Sequence, residues 1–248
     1  MAKNNFSKYY DQLYIGKDYT KETKYILSNF NKTNKRLPQN ILDFGCGTGE
    51  HTICFANLGY RILGLDIDDD MIEIAEKKMV PSNLKFRQGD FLKLRMTEKF
   101  DLIYSYFYVI NYIDDLFYLE QIFKKIYSSL NENGIFAFDF ISGNATILSH
   151  PQNKVIDIQN GKLRIMGSMT PVFDPNFNTA TYKYKMQVYD SGKVTNINNS
   201  INQTYWTPSL IKQLMLKSGF KKTLFLKHLT NNSKITPDDY KISVFCYK

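Results

Sequence analysis

Cysteine is scarce in this chain: Cys46, Cys54 and Cys246 are the only three in 248 residues. An odd number, with one inside a glycine-rich turn, excludes a disulfide-framed secreted domain and points to a reducing cytoplasm. No run approaches the ~18 apolar residues that cross a bilayer. The polar start, MAKNNFSKYYDQLY, lacks the apolar stretch of a signal peptide. The expectation is a soluble, cytoplasmic protein with no membrane partner. The three histidines, His51, His150 and His228, are scattered, and the cysteines form no cluster, so no metal site is expected. Charge of one sign never gathers either. The net charge is +8, yet no block of five or six like charges occurs. That pattern argues against a nucleic-acid partner and leaves an anionic small molecule as the expected one.

What the chain has is apolar and aromatic substance, 43% and 15% of residues, enough for a substantial core. Residues 1–40 read as a helical entry, with Tyr25, Ile26, Leu27 and Phe30 as its apolar stripe and Pro38 as its end. Short apolar runs then alternate with amphipathic stretches. Ile41–Phe44, Arg61–Leu65, Leu84–Gln88, Phe100–Phe107 and Ile135–Phe140 predict five strands. Helices are predicted around Thr52–Leu58, Met71–Lys78 and Leu116–Leu130. Such alternation implies βαβ units and a parallel sheet covered on both faces.

From 142 to 205 the rhythm changes to period-two alternation in Gly161–Met169, Ala180–Tyr189 and Gly192–Tyr205, with a turn at Asp190-Ser191-Gly192. This predicts an antiparallel β insertion after the fifth strand, lying over the sheet as a substrate cover. Thr207 and Pro208 then predict a helix start, Lys217 and Gly219 its end. Thr223–Lys227 and Ile242–Tyr247 supply two last strands. The expected organisation is an N-terminal helical lid (1–40), a nucleoside-binding core (41–141 and 206–248) and the insertion (142–205).

The informative stretch is Ile41-Leu-Asp-Phe-Gly-Cys-Gly-Thr-Gly-Glu-His51. A strand ending in Asp43 turns through Gly45, Cys46, Gly47 and Gly49 into a helix. Glycine lets a ligand approach the backbone with no Cβ between them. Dinucleotide sites use G-x-G-x-x-G and place a pyrophosphate at the helix start. Here the spacing is G-x-G-x-G behind an acid, and Asp43 would repel a pyrophosphate but suit a cationic amine. Asp66 ends the second strand, where a carboxylate can accept both ribose hydroxyls. Gly89-Asp90-Phe91 ends the third, with an acid for an exocyclic amine and a ring for the base.

Ile41–Thr52, Leu63–Met71, Gln88–Phe91 and Phe100–Tyr112, in that order, resemble the motifs of class I S-adenosylmethionine-dependent methyltransferases. The resemblance implies S-adenosyl-L-methionine as cofactor and a Rossmann-like, doubly wound α/β fold with a seven-stranded, mainly parallel sheet. It implies cofactor contacts at Tyr14, Tyr19, Asp43, Gly45, Cys46, Gly47, Asp66, Ile67, Met71, Asp90, Phe91 and Tyr106. The lead-in Tyr10–Tyr19 and the late stretch Thr204–Phe220 are similar to bacterial N-methyltransferases of nucleotide-linked amino sugars, which implies that Tyr14 and Tyr19 cover the cofactor and enclose the acceptor.

Methyl transfer is an in-line displacement, so alignment is the main demand, and it can be worth ~7–11 kcal/mol. A base is needed only if the nucleophile arrives protonated. Tyr14, Tyr108 and Asn111 are the candidate catalytic residues. Asn111 stands where enzymes of the resembled group can carry a histidine, and an amide cannot serve as a base. His51 reads as a polar helix start, His228 as solvated, and His150 as a residue that could reach the acceptor. Asp139, at the end of the fifth strand, reads as another residue within reach of the acceptor, and Asp68, Asp69 and Asp70 read as a helix-start run. Lys183, Lys185 and Arg164 are candidate phosphate contacts, though alternation would equally leave them solvated. The reading is a small-molecule methyltransferase whose lead acceptor is an amino sugar nucleotide. O- or N-methylation of another phosphorylated building block in surface-polysaccharide synthesis is the alternative. A nucleic-acid methyltransferase is less favoured, since the fourth strand leads into Tyr106-Phe107-Tyr108-Val109 with no Pro-Pro turn. Oligomeric state is left open.

Overall fold

Residues 5–231 and 234–248 are described by the computed structural model. Residues 1–4 of the expected lid lie outside them. The chain opens with two single-turn helices, α1 (Asn5–Lys8) and α2 (Tyr10–Leu13), and a long helix, α3 (Tyr19–Asn34). Then come β1 (Asn40–Phe44), α4 (Glu50–Asn57), β2 (Arg61–Asp66), α5 (Asp69–Glu76), β3 (Leu84–Gln88) and β4 (Phe100–Ser105). A 3-10 turn (Val109–Tyr112), α6 (Leu116–Ser129), β5 (Leu130–Ile141) and α7 (Gly143–Leu148) follow. The insertion is β6 (Lys154–Asn160), β7 (Leu163–Asp174), β8 (Thr179–Asp190) and β9 (Lys193–Thr204), before α8 (Pro208–Lys217), β10 (Lys222–Lys227) and β11 (Lys241–Tyr247).

Seven strands form one sheet in the order β10-β11-β5-β4-β1-β2-β3. β1 to β5 run parallel, and β11 is antiparallel to both its neighbours. The order reverses beside β1, and open α/β sheets bind ligands at the carboxyl ends of the strands flanking such a point. Two apolar layers sandwich the sheet. On one face Ile26 and Phe30 of α3 and Phe55 of α4 pack on Ile41, Leu102 and Phe245. On the other, Phe123 and Ile126 of α6 and Leu214 of α8 pack on Ile103, Phe136 and Val244. Each such side chain stabilises the fold by ~1.5–3 kcal/mol when fully buried.

Local chemistry sets the helix starts. Asp18, Asp68, Asp115 and Thr207 each accept a hydrogen bond from a backbone N–H in the first turn of the following helix. Asp68 is thus a cap within the acidic run 68–70.

The second sheet is antiparallel, in the order β6-β7-β8-β9. Its inner face presents Ile165, Met186, Val188 and Ile197 to Phe6, Tyr9, Tyr10 and Leu13. The insertion has a strand, β6, that periodicity did not reveal. Alternation in its sequence, KVIDIQN, is confined to Ile156 and Ile158. The expected fourth strand also ends early, at Ser105, because Phe107 and Tyr108 take left-handed φ values of 74° and 64°. Among the described residues, no helix is long and apolar enough to cross a membrane.

Asp101, at the start of β4, fastens the segment that leads into β1. Its carboxylate accepts from Arg36, from the Gln39 N–H and from Asn131 at 2.8–3.0 Å. Burial alone would raise its pKa, but these donors hold it down at about 2. A carboxyl lowered in the folded state stabilises above its unfolded pKa of ~3.9, and that contribution is lost as pH falls from there through the folded value. Asp101→Asn should therefore flatten the stability loss between about pH 4 and pH 2, read by denaturant midpoints across that range.

Candidate functional site

The carboxyl ends of β1, β2 and β4 open on a cavity of about 590 Å³. The glycine bend forms its floor. Gly45 has φ +78°, and a Cβ there would sit 2.4 Å from Val109 Cγ1. Both features demand glycine. At Gly47 a Cβ would meet nothing within 4 Å, so this peptide faces open space. The bend is fixed from below: the Gly45 and Cys46 N–H groups donate to the Leu65 carbonyl at 2.8 and 3.0 Å.

Asp66 ties the bend to β2. Its Oδ2 accepts from Gly47 N at 2.7 Å and its Oδ1 from Asp68 N at 2.9 Å. Burial raises its pKa. It lines the cavity, and each oxygen keeps a lone pair for a further donor. Tyr19, Gly45, Cys46, Gly47, Ile67, Met71, Phe91 and Tyr106 also line it. Among the described residues the lining acids are Glu50, Asp66, Asp68 and Asp114, and no lysine or arginine joins them.

Three expected cofactor contacts lie behind the wall. Asp43 is buried, with Oδ2 accepting from Thr52 Oγ1 at 2.6 Å and Tyr104 OH at 2.8 Å. Burial lifts its pKa to about 6, against the pull of the His51 charge and these two donors. It braces the bend from beneath instead of lining the cavity. Asp90 accepts from Tyr118 OH at 2.7 Å and Leu92 N at 2.9 Å, so its neighbours Gly89 and Phe91 and its partner Tyr118 reach the cavity in its stead. Tyr14 is outside the wall, edge-on to Phe107 at 4.7 Å and beside Tyr10 at 4.9 Å.

Of the candidate catalytic residues, Asn111 requires correction. It is fully buried. Its amide nitrogen donates to the Ile141 and Thr204 carbonyls and its oxygen accepts from Ile141 N. These bonds join the 3-10 turn to both chain crossings into the inserted sheet, and leave nothing for an acceptor. Tyr108 stands behind Phe107, its ring 5.2 Å from Lys241 Nζ and its N–H donating to Asp139 Oδ1 at 2.8 Å. Burial, the Asp139 charge and further neighbours push its hydroxyl pKa far up, and burial does the same for Tyr14 and Tyr19.

Two histidines differ from expectation. His51 is buried, lines the cavity and shares a hydrogen bond between Nε2 and Glu22 Oε2. Tyr19 stacks edge-on against it at 4.8 Å. Glu22 also pairs with Lys17, and despite its burial these two partners hold its pKa at about 2. His228 is mostly enclosed, its Nδ1 3.1 Å from Ser243 Oγ, its ring 6.3 Å from Tyr106 and 6.4 Å from Tyr108. Burial lowers its pKa to about 4. Beside it, Asp139 is buried, its Oδ2 3.9 Å from His228 Nδ1; neither that oxygen nor the Tyr106 hydroxyl has a hydrogen-bond partner among the described residues, and burial raises the Asp139 pKa to about 8. Glu22 and His228 lie 206 residues apart, and no local pattern joins them.

Other candidates lie elsewhere. His150 is exposed and packs on Phe173 at 4.8 Å, away from the cavity. Arg164 pairs with Asp157, while Lys183 and Lys185 are exposed on strand positions alternate to the inward Tyr182 and Tyr184.

Residues 41–134 match the family model described as a methyltransferase domain. A curated relative from Streptomyces venezuelae, dTDP-3-amino-3,4,6-trideoxy-alpha-D-glucopyranose N,N-dimethyltransferase, is 32% identical over 108 residues, 42% of this chain and 44% of its own. The chain spans about half the length of the curated relatives it matches. In fold, the likeness runs end to end. An S-adenosylmethionine-dependent methyltransferase from Clostridium acetobutylicum superposes with TM-score 0.81 at 21% identity, covering 98% of this chain and 97% of that one. The amino pentose methyltransferase CalS10 of Micromonospora echinaspora, solved with its cofactor, gives 0.76 at 14% identity, covering 100% and 98%.

Asn111→Ala should lower unfolding free energy by about 2–4 kcal/mol, because it strands a buried N–H and two carbonyls. Affinity of the folded variant for a nucleoside ligand should be nearly unchanged. Urea unfolding and calorimetry separate the two.

Proposed function

We propose, from the premise that residues 41–134 are a methyltransferase domain, that this protein binds S-adenosylmethionine and methylates the amino group of a small hydroxylated acceptor, with a nucleotide-linked amino sugar as the lead. The observation that carries the reading is the cavity, whose lining joins the glycine bend, the strand-end carboxylate of Asp66 and the apolar side chains Ile67, Met71, Phe91 and Ile122. The names of the Streptomyces relative and of CalS10, both acting on amino sugars, support the acceptor class.

The residues present fit the cofactor. Gly47 turns bare backbone to the cavity, and four lining acids with no lysine or arginine among the described residues suit a molecule carrying sulfonium and ammonium charge. Asp66 would take the ribose hydroxyls, and Phe91, Ile67, Met71 and Ile122 would enclose the base. Tyr19, His51 and Gly45 would hold the amino-acid end. Bound there, S-adenosylmethionine supplies a methyl group on a positively charged sulfur with a neutral thioether as leaving group.

The protein's task is then alignment and exclusion of water. Phe6, Tyr10, Phe107 and Tyr112 wall the far end of the cavity, with Asn199 and Asn202 of β9 opposite. Tyr14 and Tyr108 stand just behind this wall as the candidates to orient the acceptor. Their hydroxyls, neutral because burial raises their pKa values, can donate and accept hydrogen bonds but are poor bases. With the His228 pKa at about 4, that ring is neutral at pH 7 and too weak a base to deprotonate an ammonium. The acceptor therefore reacts as the amine that has already lost its proton.

The deciding experiment is methyl-donor turnover with free amino sugars, nucleotide-linked amino sugars and phosphorylated alcohols, scored by product mass. Methylated alcohol with no methylated amine would sink the reading. Asp66→Ala should raise the dissociation constant for S-adenosylhomocysteine about tenfold or more, through lost charge-assisted hydrogen bonds worth ~1.5–3 kcal/mol. An unchanged constant by calorimetry removes Asp66 from the site. The pH profile gives an independent check. kcat/KM should rise with pH until the acceptor's own amine is deprotonated, and the inflection should move when an acceptor of lower amine pKa is used. A fixed inflection would reveal a base in the protein.

A further inference from the structure

The cavity is roofed by two pieces far apart in sequence. Phe6, Tyr9 and Leu13 of α1 and α2 share one apolar cluster with Ile165, Met186 and Val188 of the inserted sheet. That cluster is separate from the two that flank the central sheet. The N-terminal helices and the insertion are therefore one body held by burial. Where this cover meets the glycine bend, the contact is polar. Thr48 Oγ1 donates to Asp11 Oδ1. Lys78 Nζ lies 2.8 Å from Asp11 Oδ2, 2.6 Å from Glu50 Oε1 and 2.7 Å from the Thr48 carbonyl oxygen. One ammonium thus ties the cover, the bend and the first turn of α4. Asp11 and Lys78 do not line the cavity, whereas Thr48 and Glu50 do.

A partly exposed ion pair is weak in water, while separating an apolar cluster is costly. The seam that opens is accordingly the polar one. We propose that Asp11, Thr48 and Lys78 form a latch that holds the fused cover over the cavity, so that breaking and remaking these contacts sets how fast the nucleoside ligand enters and leaves. This rests on the reading of the cavity as an S-adenosylmethionine site. The latch grips the same bend that the ligand approaches, so a filled bend favours the closed cover. Closure brings Tyr10 onto the wall with Tyr14 behind it, which makes cofactor first and acceptor second the productive order.

Asp11→Ala frees the cover while Lys78 keeps Glu50 and the Thr48 carbonyl. Lys78→Met removes all three contacts. In a chase of tritiated S-adenosylhomocysteine, Asp11→Ala should release ligand about fivefold faster than the parent protein, the factor expected for one such ion pair and hydrogen bond. Lys78→Met should also release faster than the parent, and the double variant should fall short of the product of the two single factors, because both substitutions remove the Asp11–Lys78 contact. Trypsin cleavage after the exposed Lys8 in ligand-free protein should accelerate by a similar factor in Asp11→Ala. If the parent binds no S-adenosylhomocysteine while Asp11→Ala still opens to trypsin, the functional reading falls and the latch stands. If ligand binds and neither rate changes in Asp11→Ala, or the two substitutions multiply, the latch is overturned. Should Asp11→Ala fail to fold, Asp11→Asn gives the same readings with the charge alone removed.

Discussion

The arrangement of this molecule depends on satisfying polar groups at the carboxyl ends of parallel strands. A parallel sheet pairs its interior backbone but leaves its strand tips to the loops, and buried polar groups left unpaired are costly. Here the loops answer one tip after another. Asp43 at the tip of β1 takes Thr52 and Tyr104, Asp66 at the tip of β2 takes Gly47 and Asp68, and Asp139 near the end of β5 takes the Tyr108 N–H. The Asp66 and Asp139 bonds hold loops over the sheet edge, the Asp43 bonds tie β1 to α4 and β4, and the cavity opens among these connections. The left-handed turn at Phe107 and Tyr108 belongs to the same system: the Asp139 carboxylate anchors it, and the turn sets Phe107 on the wall.

The cover obeys a different balance. The face formed by Ile165, Met186, Val188 and Ile197 packs against α1 and α2, and Phe173, Ala180 and Tyr182 of the same insertion pack on Ile141 at the end of β5. The consequence is a division of labour by chemistry. Apolar burial makes the cover one body and ties the insertion to Ile141 at the end of β5, while hydrogen bonds and an ion pair make its contact with the glycine bend. Asn111 belongs to the fixed side of that division, since its three bonds lock both crossings into the insertion beneath the cover.

Much of this could be read from the sequence, for a physical reason. Strand and helix periods, the glycine bend and its flanking acids are local, so Ile41–Gly49, Asp66 and Phe91 were legible with their neighbours' spacing alone. The strand tips supply ligand groups by topology, and topology follows from the alternation of elements. What escaped was non-local or cooperative. The Glu22–His51 contact joins α3 to α4, and His228 reaches Tyr106 and Tyr108 from a connection near the end of the chain. Asn111 was misjudged because a buried amide and a catalytic one look alike until their partners are known. Asp43 and Asp90 were correctly set at strand tips, but a strand-tip carboxylate can turn toward a ligand or toward the loop beneath it. Which way it turns depends on Thr52, in the next helix, and on Tyr104 and Tyr118, donors far along the chain from the acids they meet.

The same partners limit the chemistry available. A reactive base needs a pKa near the working pH and a path to the substrate. Burial removes the first requirement from Tyr14, Tyr108 and His228. Asp139, at about 8, has a suitable pKa but is enclosed behind the Tyr108 backbone. Groups that cannot change charge are nevertheless good at fixing position, because a neutral hydroxyl in a dry wall donates one hydrogen bond and accepts others without a solvation change during reaction. A displacement that needs a straight line through three atoms gains most from such fixed walls. For Tyr14, Tyr108 and His228, fixed position and poor basicity are two outcomes of one cause, their burial.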